Sequence, residues 1–156
     1  MWCNSRWAAL LLVAIIPLSV AGQNPTAPNK REGTIIAGVR AVLEAQGQAW
    51  NRGDIEGFMD GYERSPDTVF VSGDNVARGW QTVLDRYRKR YDSRDKMGTL
   101  SFSDLEVTLL SKDAALALCS WRLKRASDEP HGKSSLLLRR TKRGWKIVHD
   151  HSSAAG

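Results

Sequence analysis

The sequence predicts an α+β domain, with helices packed on one face of a mainly antiparallel sheet. Three observations carry this. Apolar residues recur at steps of three and four over residues 34–62 and again over 79–91, the period of a helix face. From Thr99 onward the period shortens to that of strands. The connections between these later segments are short, which pairs neighbouring strands antiparallel.

The 156 residues allow one domain rather than two. The chain opens with one positive charge, Arg6, an apolar run from Ala8 to Ile16, and the small-residue stretch Ser19-Val20-Ala21-Gly22. That order predicts a signal peptide over residues 1–22, hence an exported protein, periplasmic or secreted. The apolar run is shorter than the ~20 residues that span a bilayer, so no stable membrane anchoring is expected after cleavage. Cleavage after Gly22 leaves 156 − 22 = 134 residues and a net charge of 22 − 17 = +5. It also leaves a single cysteine, Cys119, which cannot form an internal disulfide and reads as a small buried hydrophobe.

Residues 23–33, with Pro25, Pro28, Asn29 and Gly33, read as a flexible leader. The domain is expected over residues 34–153, with Thr34 as the first N-cap. Ile36, Val39, Leu43, Gln46 and Trp50 form the stripe of the first helix. Asn51-Arg52-Gly53 ends it, and Asp54 caps a short second helix bearing Ile55, Phe58, Met59 and Tyr62. After the turn Ser65-Pro66-Asp67, the β-branched and aromatic run Thr68–Val71 is a strand, turned back by Gly73-Asp74-Asn75. A third helix runs from about Gly79 to Tyr91 with Trp80, Val83, Leu84, Tyr87 and Tyr91 on one face. Four strands follow, over about 99–110, 113–125, 133–142 and 144–152.

This order resembles the nuclear transport factor 2-like superfamily. The likeness is carried by Asn51-Arg52-Gly53-Asp54-Ile55 with Tyr62, by Ala77-Arg78-Gly79-Trp80 with Leu84 and Tyr87, and by the final stretch Gly144–Ser152. That last stretch resembles the SnoaL-like branch, and is also similar to the association domain of calcium/calmodulin-dependent kinase II. The resemblance implies a cone-shaped fold, three N-terminal helices lying on the concave face of a curved sheet, and a homodimer. It leaves function open, because the superfamily includes isomerases, cyclases, dehydratases, oligomerisation domains and binding proteins. Ketosteroid isomerases use a general-base Asp and an oxyanion hole of Tyr and protonated Asp. By resemblance the Tyr falls at Gln46, the general-base Asp at Val71 or Ser72, and the oxyanion-hole Asp among Leu136–Leu138. No acid–base group stands at any of them, which disfavours steroid-type proton shuttling.

Strand parity supplies candidates of its own. Trp145, Ile147, His149 and His151 alternate onto one face of the last strand, and the apolar pair should turn that face toward the helices. Both histidines are then expected in the concave cavity, as ligand contacts or as acid–base groups. His-x-His could also offer two nitrogens to a metal. No third ligand is suitably placed, so neither a metal nor an organic cofactor is expected. Gln46 interrupts an apolar stripe and needs a partner or a cavity. Trp50, Tyr62, Trp80, Tyr87 and Trp121 are expected in the pocket wall or the core.

The charge of +6 suggests nucleic acid at first sight. The basic residues, however, cluster at the end of the third helix (Arg86, Arg88, Lys89, Arg90, Arg94, Lys96) and on the sheet hairpins, and an exported protein rarely meets nucleic acid. They read as solvated faces, and no nucleic-acid partner is expected. The expected function is an exported binding domain for a small organic molecule. An isomerase, hydratase or dehydratase using His149 or His151 is the alternative, and an oligomerisation module the second alternative.

Overall fold

The structure is a computed structural model and describes residues 29–155. The expected signal peptide and most of the expected leader lie outside the described residues. Helix α1 (Lys30–Asn51) begins four residues before the expected cap. The cap is Asn29, whose side-chain oxygen accepts from the N–H groups of Arg31 and Glu32 while Glu32 accepts from the N–H of Asn29. This reciprocal pair satisfies donors that no helical carbonyl can reach. Thr34 lies inside the helix and donates its hydroxyl to the Lys30 carbonyl. The buried stripe is Ile35, Val39, Leu43, Gln46, Ala49 and Trp50, so it opens at Ile35 rather than Ile36.

Asp54 caps α2 (Ile55–Met59) through the N–H of Gly57, 2.7 Å away. Tyr62 lies beyond that helix, in an isolated parallel bridge to Ile147. Strand β1 (Val69–Ser72) turns into β2 (Asn75–Arg78), an edge strand where the sequence predicts turn and connection. Helix α3 (Trp80–Arg90) follows, then a single turn, α4 (Arg94–Met97), capped by Ser93. The meander β3 (Thr99–Ser111), β4 (Ala114–Lys124), β5 (His131–Thr141) and β6 (Gly144–Ser152) matches the four expected strands to within about two residues.

The six strands form one sheet in the order β2-β1-β6-β5-β4-β3. Only the β1–β6 pair is parallel. The inner face of the meander is Leu100, Ala115, Ala117, Cys119, Leu123, Leu136, Leu138, Trp145 and Ile147, all buried against the helices. Three irregularities interrupt the register, one of them between Leu109 and Ser111 near the end of β3. In β3 an extra residue enters between Ser103 and Glu106, where Asp104 takes φ 51° and accepts from Ser120. In β6 an extra residue, Val148, stands between Ile147 and His149, which face the consecutive Leu138 and Leu137. Such bulges increase twist and curvature and re-aim the side chains that follow.

Candidate functional site

The concave side of the sheet and the helices enclose a cavity of about 130 Å³. Its helical wall is aromatic. Trp50 meets Phe58 (5.1 Å, 67°) and Tyr91 (4.7 Å, 77°) edge to face, and Phe58 meets Tyr87 at 5.1 Å. These are the offset geometries that ring quadrupoles favour. The indole N–H of Trp50 donates to the Met97 carbonyl at 3.0 Å, tying α1 to α4. From the sheet side come Phe102, Trp121, Leu136 and Ile147. Trp121 donates to the Ser153 carbonyl at 3.0 Å, which holds the C-terminal residues beside the cavity.

One end of this apolar space is polar. Asp150 is 4% exposed and lines the cavity. The Tyr62 hydroxyl donates to its Oδ2 at 2.6 Å, and the Ser152 hydroxyl donates to its Oδ1 at 2.7 Å. Ser152 shares a 2.6 Å hydroxyl contact with Ser134. Burial raises the Asp150 carboxyl above its ordinary value, and the bonds from Tyr62 and Ser152 and then the fields of His149 and His151 oppose that rise. Burial, and then the Asp150 charge, pushes the Tyr62 phenol up, so it stays a donor. Tyr87 is pushed up by the same two causes. Gln46 closes the helical side, its amide donating to the Phe58 carbonyl at 3.0 Å. It reaches there because Gly61 has no side chain: a Cβ at Gly61 would sit 2.6 Å from the Gln46 amide carbon.

Gln46, Trp50, Tyr62, Tyr87 and Trp121 thus line the cavity as the sequence predicts. Trp80 does not. Its indole donates outside the cavity to the Met59 carbonyl at 2.9 Å, and the Arg64 guanidinium stacks on its ring. The orientation expected for His149 and His151 is also overturned. The Val148 bulge shifts the alternation by one residue, so Asp150 turns inward, His151 is exposed and His149 is half-buried. Neither imidazole lines the cavity. The same slip hides Asp150 and Ser152, whereas Ser134 shares the inward parity of Leu136 and Leu138 on β5, a signal the sequence does carry. Arg86 and Arg90, read as solvated, lie at the cavity rim. Cys119 is buried as expected, and burial followed by the Asp150 charge pushes its thiol up to about 11, far from a reactive thiolate.

A buried carboxyl held by two hydroxyls at one end of an aromatic cavity can orient a ligand's hydroxyl or carbonyl. With its pKa raised, the same carboxyl can also exchange a proton nearer neutrality than an ordinary aspartate.

The comparisons with known proteins agree with this architecture. The model of the SnoaL-like domain matches residues 39–156, more than half of the chain. An NTF-2-like protein of unknown function from Shewanella oneidensis is 35% identical, with a TM-score of 0.72 over 75% of this chain and 97% of that one. A nuclear transport factor 2-like superfamily protein from Salmonella enterica shares the fold at 18% identity, with a TM-score of 0.66 over 80% of this chain and 93% of that one. A ketosteroid isomerase-like protein from Erwinia carotovora atroseptica shares it at 20% identity, with a TM-score of 0.63 over 78% and 96%. No curated protein matches the chain.

Proposed function

Since the chain belongs to the SnoaL-like domain family, we propose that it is an exported small-molecule-binding protein whose ligand occupies the cavity between the helices and the sheet. The observation that carries this is the Asp150–Tyr62 pair at one end of an otherwise aromatic space. A solid core would leave no reason to bury a carboxyl there, since a buried charged group costs stability unless it is well bonded. The size suits a compact ligand: an apolar cavity of about 150 Å³ accepts one benzene ring. The order of residues 1–22 supports export to the periplasm or the medium. The proposed activity needs neither a metal nor an organic cofactor.

Phenylacetamide, a neutral one-ring amide, serves as the probe. It is expected to shift the indole N–H resonances of Trp50 and Trp121 saturably, and Leu136→Trp, which fills the cavity from β5, should abolish those shifts. Shifts that persist unchanged in Leu136→Trp would place binding elsewhere and overturn the reading.

The second reading is an acid–base isomerase, hydratase or dehydratase, and the raised pKa of Asp150 favours it. Asp150, rather than a histidine, is then the proton-transfer group. Phenylacetone in deuterated water should take up deuterium at its α-carbons faster with the protein than without it. Asp150→Asn should return that rate to background; equal rates in the two proteins would exclude the role.

The homodimer implied by the family resemblance is proposed on the outer face of the sheet. Leu116 and Leu118, adjacent outward positions of β4, are 40% and 41% exposed. Leu116 faces Leu137 of β5. Exposed apolar groups gathered in this way mark an association surface. Sedimentation equilibrium is expected to give twice the chain mass, and Leu116→Lys combined with Leu118→Lys to give a monomer. A wild-type monomer at micromolar concentration ends the dimer proposal.

A further inference from the structure

The rim of the cavity carries two cations. Arg86 and Arg90 stand one turn apart on the same side of α3, and both line the cavity. Each is held over a ring that also lines it: the Arg86 guanidinium carbon lies 5.5 Å from the Phe70 centroid, and that of Arg90 lies 5.8 Å from the Tyr91 centroid. Among the described residues neither is in an ion pair. The acids close by are already engaged, since Glu56 and Asp85 both pair with Arg88, which points to another side of the helix. Like charges one helical turn apart repel each other, and an anion between them removes that cost.

Asp150 imposes the opposite preference. A ligand's negative charge placed beside Asp150 would meet a carboxyl in a water-poor site, where like charges repel strongly. A neutral hydroxyl or carbonyl can bond there instead. The cavity therefore carries two distinct preferences: for an anion at Arg86 and Arg90, and for a neutral hydrogen-bonding group at the Asp150–Tyr62 pair.

Resting on the small-molecule reading above, we propose that the ligand is a compact aryl or similarly apolar carboxylate, bound with its body among Trp50, Phe58, Phe102 and Leu136 and its carboxylate outward between Arg86 and Arg90. The planar fork of guanidinium matches a carboxylate with two parallel N–H···O bonds. The aromatic rings beneath keep both side chains aimed at the rim, which limits the rotamer freedom lost on binding.

The test compares phenylacetate with phenylacetamide, which have the same size and shape and differ in charge. At low ionic strength phenylacetate is expected to bind at least tenfold more tightly, with the advantage shrinking as salt screens the exposed rim. Arg86→Gln combined with Arg90→Gln should abolish the preference, so that phenylacetate and phenylacetamide bind this variant equally. Arg86→Lys combined with Arg90→Lys, which keeps both charges, should retain most of the preference and shows that the surface tolerates change. Equal binding of acid and amide to the wild type, or an acid preference that survives the double Gln variant, overturns the carboxylate assignment while the pocket stands. If neither probe binds saturably, the pocket reading itself fails and the assignment falls with it.

Discussion

Trp50→Ala is expected to lower unfolding stability by about 4 kcal/mol. Trp50 is 2% exposed and is the meeting point of the helical wall. Its ring packs edge to face with Phe58, Tyr87 and Tyr91, so truncation removes three aromatic contacts as well as the buried area. The substitution also removes the indole donation to the Met97 carbonyl of α4. The neighbours cannot collapse into the space freely, because Phe58 is fixed by α2 and Tyr87 and Tyr91 by α3 and its C-cap. The existing cavity would therefore enlarge, which is the costly outcome for a large-to-small change. A domain of this size is stable by roughly 5–15 kcal/mol, so the variant should unfold at a much lower urea concentration. Trp50→Phe keeps part of the ring packing but loses the indole donor, and should fall between the two. A shift worth less than about 1 kcal/mol for Trp50→Ala would mean that the aromatic wall is not packed as described.

How far the sequence discloses this site depends on the element. Helix periodicity locates Gln46 and Trp50 correctly, because a helix has no common irregularity that moves a residue to the opposite face within a few turns. The same logic places Trp121 inward, since β4 alternates without interruption from Ala115 to Leu123. It fails in β6, where the pattern Trp145, Ile147, then Asp150 contains one step of three. The bulge residue, Val148, is β-branched like many regular strand residues, so it carries no local mark. The sequence His149-Asp150-His151 makes the failure complete, because a slip of one residue exchanges two inward imidazoles for one inward carboxyl. Polarity cannot choose between those alternatives. Only the pairing with β5 decides, and it is a tertiary fact. The capping of α1 differs in kind. Asn29 and Glu32 are a readable capping box, and Thr34 competed with it only as an isolated N-cap residue. The rim arginines were unreadable as such, because whether Arg86 has a partner depends on where Glu56 and Asp85 are spent.

Tyr62→Phe is expected to cost about 2 kcal/mol near neutral pH, because it leaves a buried carboxyl oxygen without its donor. Tyr62 is 2% exposed and its ring also packs against Phe58, so phenylalanine preserves the shape and isolates the hydroxyl. Asp150→Asn should behave differently. The amide oxygen still accepts from Tyr62, and the amide nitrogen can donate to Ser152, whose hydroxyl then donates to Ser134. The two variants separate most clearly in their pH dependence. The folded-state pKa of Asp150 is raised, so the folded protein holds a proton that the unfolded chain releases near pH 3.9. Between those two pKa values the folded state binds more protons, and stability falls as pH rises. The wild type should therefore lose stability relative to Asp150→Asn as pH climbs above the unfolded value, and level off above the folded one. Asp54 and Glu56 have lowered pKa values and work in the opposite direction, being lost as stabilising groups when pH falls. They are common to both proteins and cancel in the difference. Tyr62, Tyr87 and Cys119 face Asp150 across the cavity side with Ser152 bonded to it, and His149 and His151 act on it from the other face of β6. The hydrogen bond from Tyr62 holds the Asp150 pKa down, so Tyr62→Phe should carry the fall in stability to higher pH than in the wild type. Urea unfolding of the three proteins from pH 4 to 8 reads both effects. Curves for wild type and Asp150→Asn that run parallel across this range would mean that Asp150 titrates as a solvated carboxyl, and the polar end of the cavity would then be wet rather than a buried binding or proton-transfer site.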